Sequence, residues 1–191
     1  MSARATRIVA AAALWLVALA LRGPLEADPL THVLVQLTML GAAGWALAPL
    51  VALGRGDWNR GGWACLILAI AAMAIWMLPR SIDAALADPR WEAAKFVTLP
   101  FLVGLPLGLG WARAHPLLRA VLRAQCLSML GVLAFLYTHA PLRLCNAYLV
   151  EDQQRLGLGF LALALALAAG WALPLFRASA VPSPRHKERL A

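Results

Sequence analysis

The chain has 191 residues, of which 62% are hydrophobic and only 14% charged, with a mean hydropathy of +0.74 and a formal net charge of +8. Soluble domains run at about 45–50% apolar and about 25% charged, so a water-soluble globular enzyme is excluded, as are disorder and collagen-like repetition. A bilayer core about 30 Å thick takes about 20 apolar residues per helical crossing, which leaves room for about five to seven crossings and no separate extramembrane domain.

Alternating strand-like patterning is absent and alanine and leucine dominate, so the expected fold is all-α: a polytopic membrane bundle of about six transmembrane helices. The first apolar segment, 8–21, follows Arg4 and Arg7. A signal peptide has the same outline, with Ala18-Leu19-Ala20 as a small-residue cleavage site. That triplet lies inside the apolar run and the polar loop after it is brief, so the segment is read as a retained helix. The second and third segments are 30–53 and 63–78. In the fourth, 95–111, Pro100 and Pro106 interrupt the helix, while Gly104 and Gly108 form a small-residue face that lets a neighbour approach closely. Arg119 and Arg123, four apart on one face of the fifth segment (121–137), are placed to snorkel to headgroups. After the sixth segment, 156–176, a tail over 177–191 turns from proline and serine to Arg185, Lys187 and Arg189, and is expected to lie disordered against anionic lipid.

Sorting charges by loop gives the orientation. One set of loops and termini carries 11 basic residues against 2 acidic ones, the other 6 against 7. The Lys/Arg bias puts both termini in the cytoplasm of a multi-pass protein of a bacterial inner membrane. Positive charge scattered in this way reads as topology and not as a nucleic-acid surface. Trp58, Trp63, Trp111 and Trp171 then fall near cytoplasmic ends, and Trp76 and Trp91 near outer ones, as interfacial anchors do.

Chemistry is expected at the outer side, which holds seven of the nine carboxylates together with His32 and His139. Helical offsets of four and three place His32, Gln36 and Met39 on one face, and Met73 and Met77 are four apart on the third helix. A ring of His, Met and carboxylate groups, with Cys145 nearby, would suit copper(I), since imidazole and thioether are soft ligands. The structural alternatives are plain: methionines as adaptable packing, and His32 bonded to solvent or to Asp28. Cys65, Cys126 and Cys145 are spread too widely to pair as a disulfide. No Ser-His-Asp arrangement, phosphate-cradling glycine loop, CxxC pair or His-Glu-x-x-His helix is present, so the expectation is a protein that is not an enzyme.

Three stretches carry a family resemblance. Thr31-His32-Val33-Leu34-Val35-Gln36, with Gly41 and Pro49 after it, resembles the second-helix signature of the CtaG-like cytochrome c oxidase assembly family. Trp76-Met77-Leu78-Pro79, with Ala84-Ala85-Leu86 and the run from Glu92 to Phe96, is similar to that family's outer loop leading into its next helix. Tyr148, Glu151-Asp152-Gln153-Gln154 and Gly157 resemble its Asp-Gln element before a final membrane helix. The resemblance spans roughly residues 30 to 175 and implies a membrane assembly factor whose partners are haem-copper oxidase subunits and which handles copper at the outer face. Candidate metal ligands are then His32, Met39, Met77 and His139, with Gln36, Asp152 and Gln153 as further polar groups of the outer mouth. Asp152 and Gln153 have the alternative of tying the outer loop to the bundle. The chain departs from the family at Gln36, where a second histidine is expected, and near Lys95, where another is. The alternative function is a non-catalytic accessory subunit of a respiratory or transport complex, which would pack its Gly104/Gly108 face against a partner.

Overall fold

The structure is a computed structural model and describes residues 2–51, 57–140 and 147–179. Its helices are α1 (Ala3–Ala20), α2 (Arg22–Glu26), α3 (Leu37–Leu47), α4 (Trp63–Trp76), α5 (Pro79–Ala87), α6 (Pro89–Thr98), α7 (Leu105–Arg113), α8 (Pro116–His139) and α9 (Val150–Ser179). Two π-helical stretches, Thr31–Gln36 and Leu99–Gly104, lead into α3 and α7, and among the described residues there is no strand. Several helix starts follow one local rule. Asp28, Asp88 and His115 each accept a backbone N–H from two residues on, at Leu30 (2.8 Å), Arg90 (2.8 Å) and Leu117 (3.3 Å). The residue between is a proline each time, whose fixed φ suits the first helical turn and whose missing N–H is not needed there.

Among the described residues six stretches are long and apolar enough to cross a membrane: Ala3–Ala20, Thr31–Leu50, Trp58–Trp76, Pro89–Arg113, Pro116–His139 and Val150–Pro174. They match the six expected segments in number and order. The fourth departs at its start, because the Asp88 cap and Pro89 begin the helix six residues ahead of the apolar run. Its 25 residues extend for about 37 Å at about 1.5 Å each, more than the bilayer core of about 30 Å. Lys95 therefore sits inside a helix and not at its edge. The tail over 180–191 and Cys145 lie outside the described residues.

Pro100 shapes the centre of this span. Having no N–H, it leaves the Phe96 carbonyl without its usual donor four residues on, and the Trp15 indole N–H of α1 bonds that carbonyl at 2.9 Å. The chain widens into the π-helical stretch just there, and α3 presses directly against it. A side chain on Gly104 would meet the backbone of Gly41 and Trp45, one on Gly44 the backbone of Pro100 and Leu105, and one on Gly108 the Ala48 side chain. The small-residue face read from the sequence is thus occupied by α3 of the same chain, not left free for a partner. Contact at backbone distance needs glycine on both sides, and Gly44 and Gly104 supply it.

Around this contact, Ala18, Leu37, Leu40, Ala72, Trp76, Ala85, Phe96, Leu99 and Val103 form the main core. Trp76 is a correction to the sequence reading. Only 4% exposed, it is no interfacial anchor, because its indole N–H bonds the Thr98 hydroxyl at 2.9 Å within the core. Helices α8 and α9 form a hairpin that joins the rest through Tyr137, Tyr148, Leu156 and Phe160, packed with Val33 and Ile82. Most of the hairpin's remaining apolar surface is exposed, as a lipid-facing surface is.

Gly104→Leu would overpack the α3 contact, at a cost of about 1–3 kcal/mol or more. Gly131→Ala, at a position open for a Cβ, should be neutral or better. Thermal unfolding of both variants in mild detergent checks this, with a loss of stability expected for the first alone.

Candidate functional site

The polar residues of the bundle gather at the end that carries α2 and α5. Asp28 starts the local geometry: beyond its cap bond to Leu30, its carbonyl accepts from the His32 N–H at 2.9 Å. The Thr31 hydroxyl donates back to the Leu25 carbonyl at 2.8 Å, which fixes α2 over the start of the second span. His32 and Gln36 lie on the wide turn that follows, both fully buried. Across from them, α6 presents Lys95, also fully buried.

Lys95 is the hub. Its Nζ donates to Glu26 Oε1 at 2.6 Å and to Gln36 Oε1 at 2.9 Å, and lies 3.2 Å from His32 Nε2. Those partners match the ammonium's three protons. Gln36 Nε2 in turn donates to Glu26 Oε1 at 2.9 Å and to the Ala18 carbonyl at 3.3 Å. An imidazole nitrogen that faces an ammonium must accept, so the His32 proton is assigned to Nδ1, which faces the Tyr148 hydroxyl at 2.9 Å. The Tyr148 hydroxyl itself donates to the Glu26 carbonyl at 2.9 Å, closing the circuit. One positive and one negative charge are enclosed, so the cluster is neutral overall.

The rim carries further ion pairs. Arg22 meets Glu92 at 2.9 Å, and Arg155 of α9 meets Asp28 at 3.1 Å and Asp152 at 3.7 Å. These are exposed and contribute little individually, but Arg155 links α9 to the loop that caps the second span. Glu26, with 15% of its side chain accessible, is where the buried cluster meets this rim. Burial by itself would raise the Glu26 carboxyl. Hydrogen bonds from Lys95 and Gln36, with the Lys95 charge, outweigh that effect and hold the group below the ordinary carboxylate range.

The sequence-derived candidates divide. His32 and Gln36 come together as their spacing implied, and both enter the cluster. Met39 and Met77 pack against the apolar core that contains Leu40 and Trp76. His139 is exposed at the end of α8, stacked on Phe135 with ring centres 4.5 Å apart, its Nδ1 beside the Thr138 hydroxyl and the Phe135 carbonyl. Asp152 joins the Arg155 ion pairs, and Gln153 is buried in the first turn of α9. Among the described residues no group of three or more His, Cys, Asp or Glu converges as metal ligands do. As arranged, the His32 imidazole offers no lone pair to copper, because Nε2 is held against an ammonium and Nδ1 bears the proton. As arranged among the described residues, His32 is therefore not a free ligand for a copper ion.

Glu26, Lys95 and Tyr148 are the residues that sequence reasoning did not place in the site. Lys95 carried a usable signal, a lone cation between Ala93-Ala94 and Phe96-Val97, since an ionisable residue within a membrane span implies a partner. The spacing of 69 residues to Glu26 gave no sign of which partner. Comparison with protein-family models, with curated proteins and with solved structures finds no match to the chain.

Two outcomes test this geometry. Lys95→Met strands a buried carboxylate and amide and should cost about 3–5 kcal/mol in detergent unfolding, part of which Glu26→Gln in the same chain restores. The depressed Glu26 carboxyl contributes stability that is complete above the ordinary carboxylate range and is lost as pH falls through its lowered folded value. The melting temperature of the wild type should therefore fall more steeply than that of Glu26→Gln as the solution is acidified through and below that range.

Proposed function

We propose that this chain is a non-enzymatic assembly factor for a haem-copper oxidase in a bacterial inner membrane. On this reading it works as a scaffold through the end of the bundle built around Lys95. The observation that carries the reading is where the three family-like stretches meet. His32 and Gln36 from the first, Lys95 from the second and Tyr148 from the third make one hydrogen-bonded cluster, although 116 residues separate His32 from Tyr148. Residues that resemble a family's signature and also build one buried site are the residues on which a shared role would act.

A scaffold is favoured over a copper donor by the same contacts. His32 serves Lys95 and Tyr148, and Met39 and Met77 serve the core, so the candidate ligands already have structural work. Asp152 likewise supports the tying role of its motif, since it shares Arg155 with Asp28. The accessory-subunit alternative needed the Gly104/Gly108 face for a partner, and α3 fills it. By the Lys/Arg bias the Lys95 end faces outward, toward the side where an immature oxidase subunit would present its outer domains.

A deletion strain tests the proposal. Haem-a absorbance and oxidase activity of its membranes should fall, return with the wild-type gene and fail to return with Lys95→Met. Added copper should not restore them. Untouched oxidase would refute the assembly role, and rescue by copper would replace the scaffold with copper delivery.

A further inference from the structure

The opposite end of the bundle holds a second polar arrangement that the proposed function does not use. Arg119 and Arg123 stand one turn apart near the start of α8, and both lie over the indole of Trp111 in the last turns of α7, with guanidinium carbons 6.0 and 5.6 Å from its ring. Arg123 is also 5.6 Å from the ring of Trp171 in α9, so it lies between two indoles. Arg119 Nη2 reaches the Ala112 carbonyl at 3.4 Å, while its Nε is buried and has no hydrogen-bond partner among the described residues.

A guanidinium held near an indole ring by cation–π attraction keeps its N–H donors available to an oxyanion. A buried N–H without an acceptor is rare and calls for one. Beside this pair runs a groove of about 430 Å³ whose lining includes Trp45, Ala48, Pro49, Leu109, Trp111 and Arg113. Trp111 and Ala112 belong to both features, so the cationic pair adjoins the largely apolar groove. Tryptophans and arginines together at the end of membrane spans mark the headgroup level. Basic pockets between helices at that level suit anionic headgroups.

We propose that Arg119 and Arg123 bind the phosphate of an anionic phospholipid, with Trp111 beneath them and the lipid's glycerol and first acyl carbons in the adjoining groove. A lipid is favoured over free phosphate because the groove is largely apolar and opens beside helices that span the membrane. The lipid phosphate then ties the start of α8 to the last turns of α7. It supplies the acceptor that Arg119 lacks.

Native mass spectrometry of the full chain in mild detergent tests this, with phosphatidylglycerol and phosphatidylcholine added in parallel. Phosphatidylglycerol should bind in a saturable one-to-one complex and raise the melting temperature, and phosphatidylcholine should do neither. Loss of two charge-assisted contacts in R119Q/R123Q should weaken the complex by about tenfold or more. R4Q/R7Q removes the same charge from the same end of the bundle and should leave binding intact. Should R119Q/R123Q fail to fold, the lipid selectivity and melting shift of the wild type, set against R4Q/R7Q, still decide the matter. Equal binding of both lipids, equal loss in R4Q/R7Q, or full displacement by millimolar inorganic phosphate would overturn the proposal.

Discussion

A cation buried within a membrane helix bundle has to be answered by protein, and the answer given to Lys95 organises one whole end of this molecule. Its ammonium draws Glu26 from the end of α2, and His32 and Gln36 from the start of the second span. Through His32 and Glu26 it also fixes Tyr148 ahead of α9. Segments far apart in sequence are therefore joined by bonds that no single apolar contact could specify. A half-satisfied network of this kind would destabilise the bundle, whereas a complete one selects a single arrangement of helices. Completeness is also what closes His32 to a metal ion.

The second constraint is steric. Between α3 and the fourth span, Gly44 and Gly104 let backbone meet backbone, and Pro100 opens the turn that makes the approach possible. Trp15 repays the carbonyl that Pro100 strands, which brings α1 onto the same span. The polar cluster is thus held from below by a contact that cannot slide, because any side chain at Gly104 would strike α3. Wide turns in both partner spans, Thr31–Gln36 and Leu99–Gly104, set the register in which His32, Gln36 and Lys95 face one another.

Much of this was legible from residue order alone. Six apolar runs of helical length gave the spans, and the spacing of Gly104 and Gly108 gave a close-approach face. His32 and Gln36 were legible as neighbours because an offset of four survives even in a widened turn. Lys95 was misjudged because hydropathy ends a segment at the first charge, while a helix continues until its hydrogen bonds run out. Trp76 was misjudged for a related reason: an aromatic near a span's end reads as an anchor until the neighbour that buries it is known. The pairings of Lys95 with Glu26 and of His32 with Tyr148 are tertiary, and no local pattern encodes them.

The central claim is that His32 is a neutral, Nδ1-protonated imidazole held between Lys95 and Tyr148. Nitrogen-15 NMR of histidine-labelled protein at neutral pH, with and without copper(I), tests it most directly. The account predicts one buried imidazole whose Nε2 is an unprotonated, hydrogen-bonded acceptor and whose resonances copper(I) leaves in place. A protonated Nε2, or an Nε2 resonance that shifts when copper(I) is added, would contradict it.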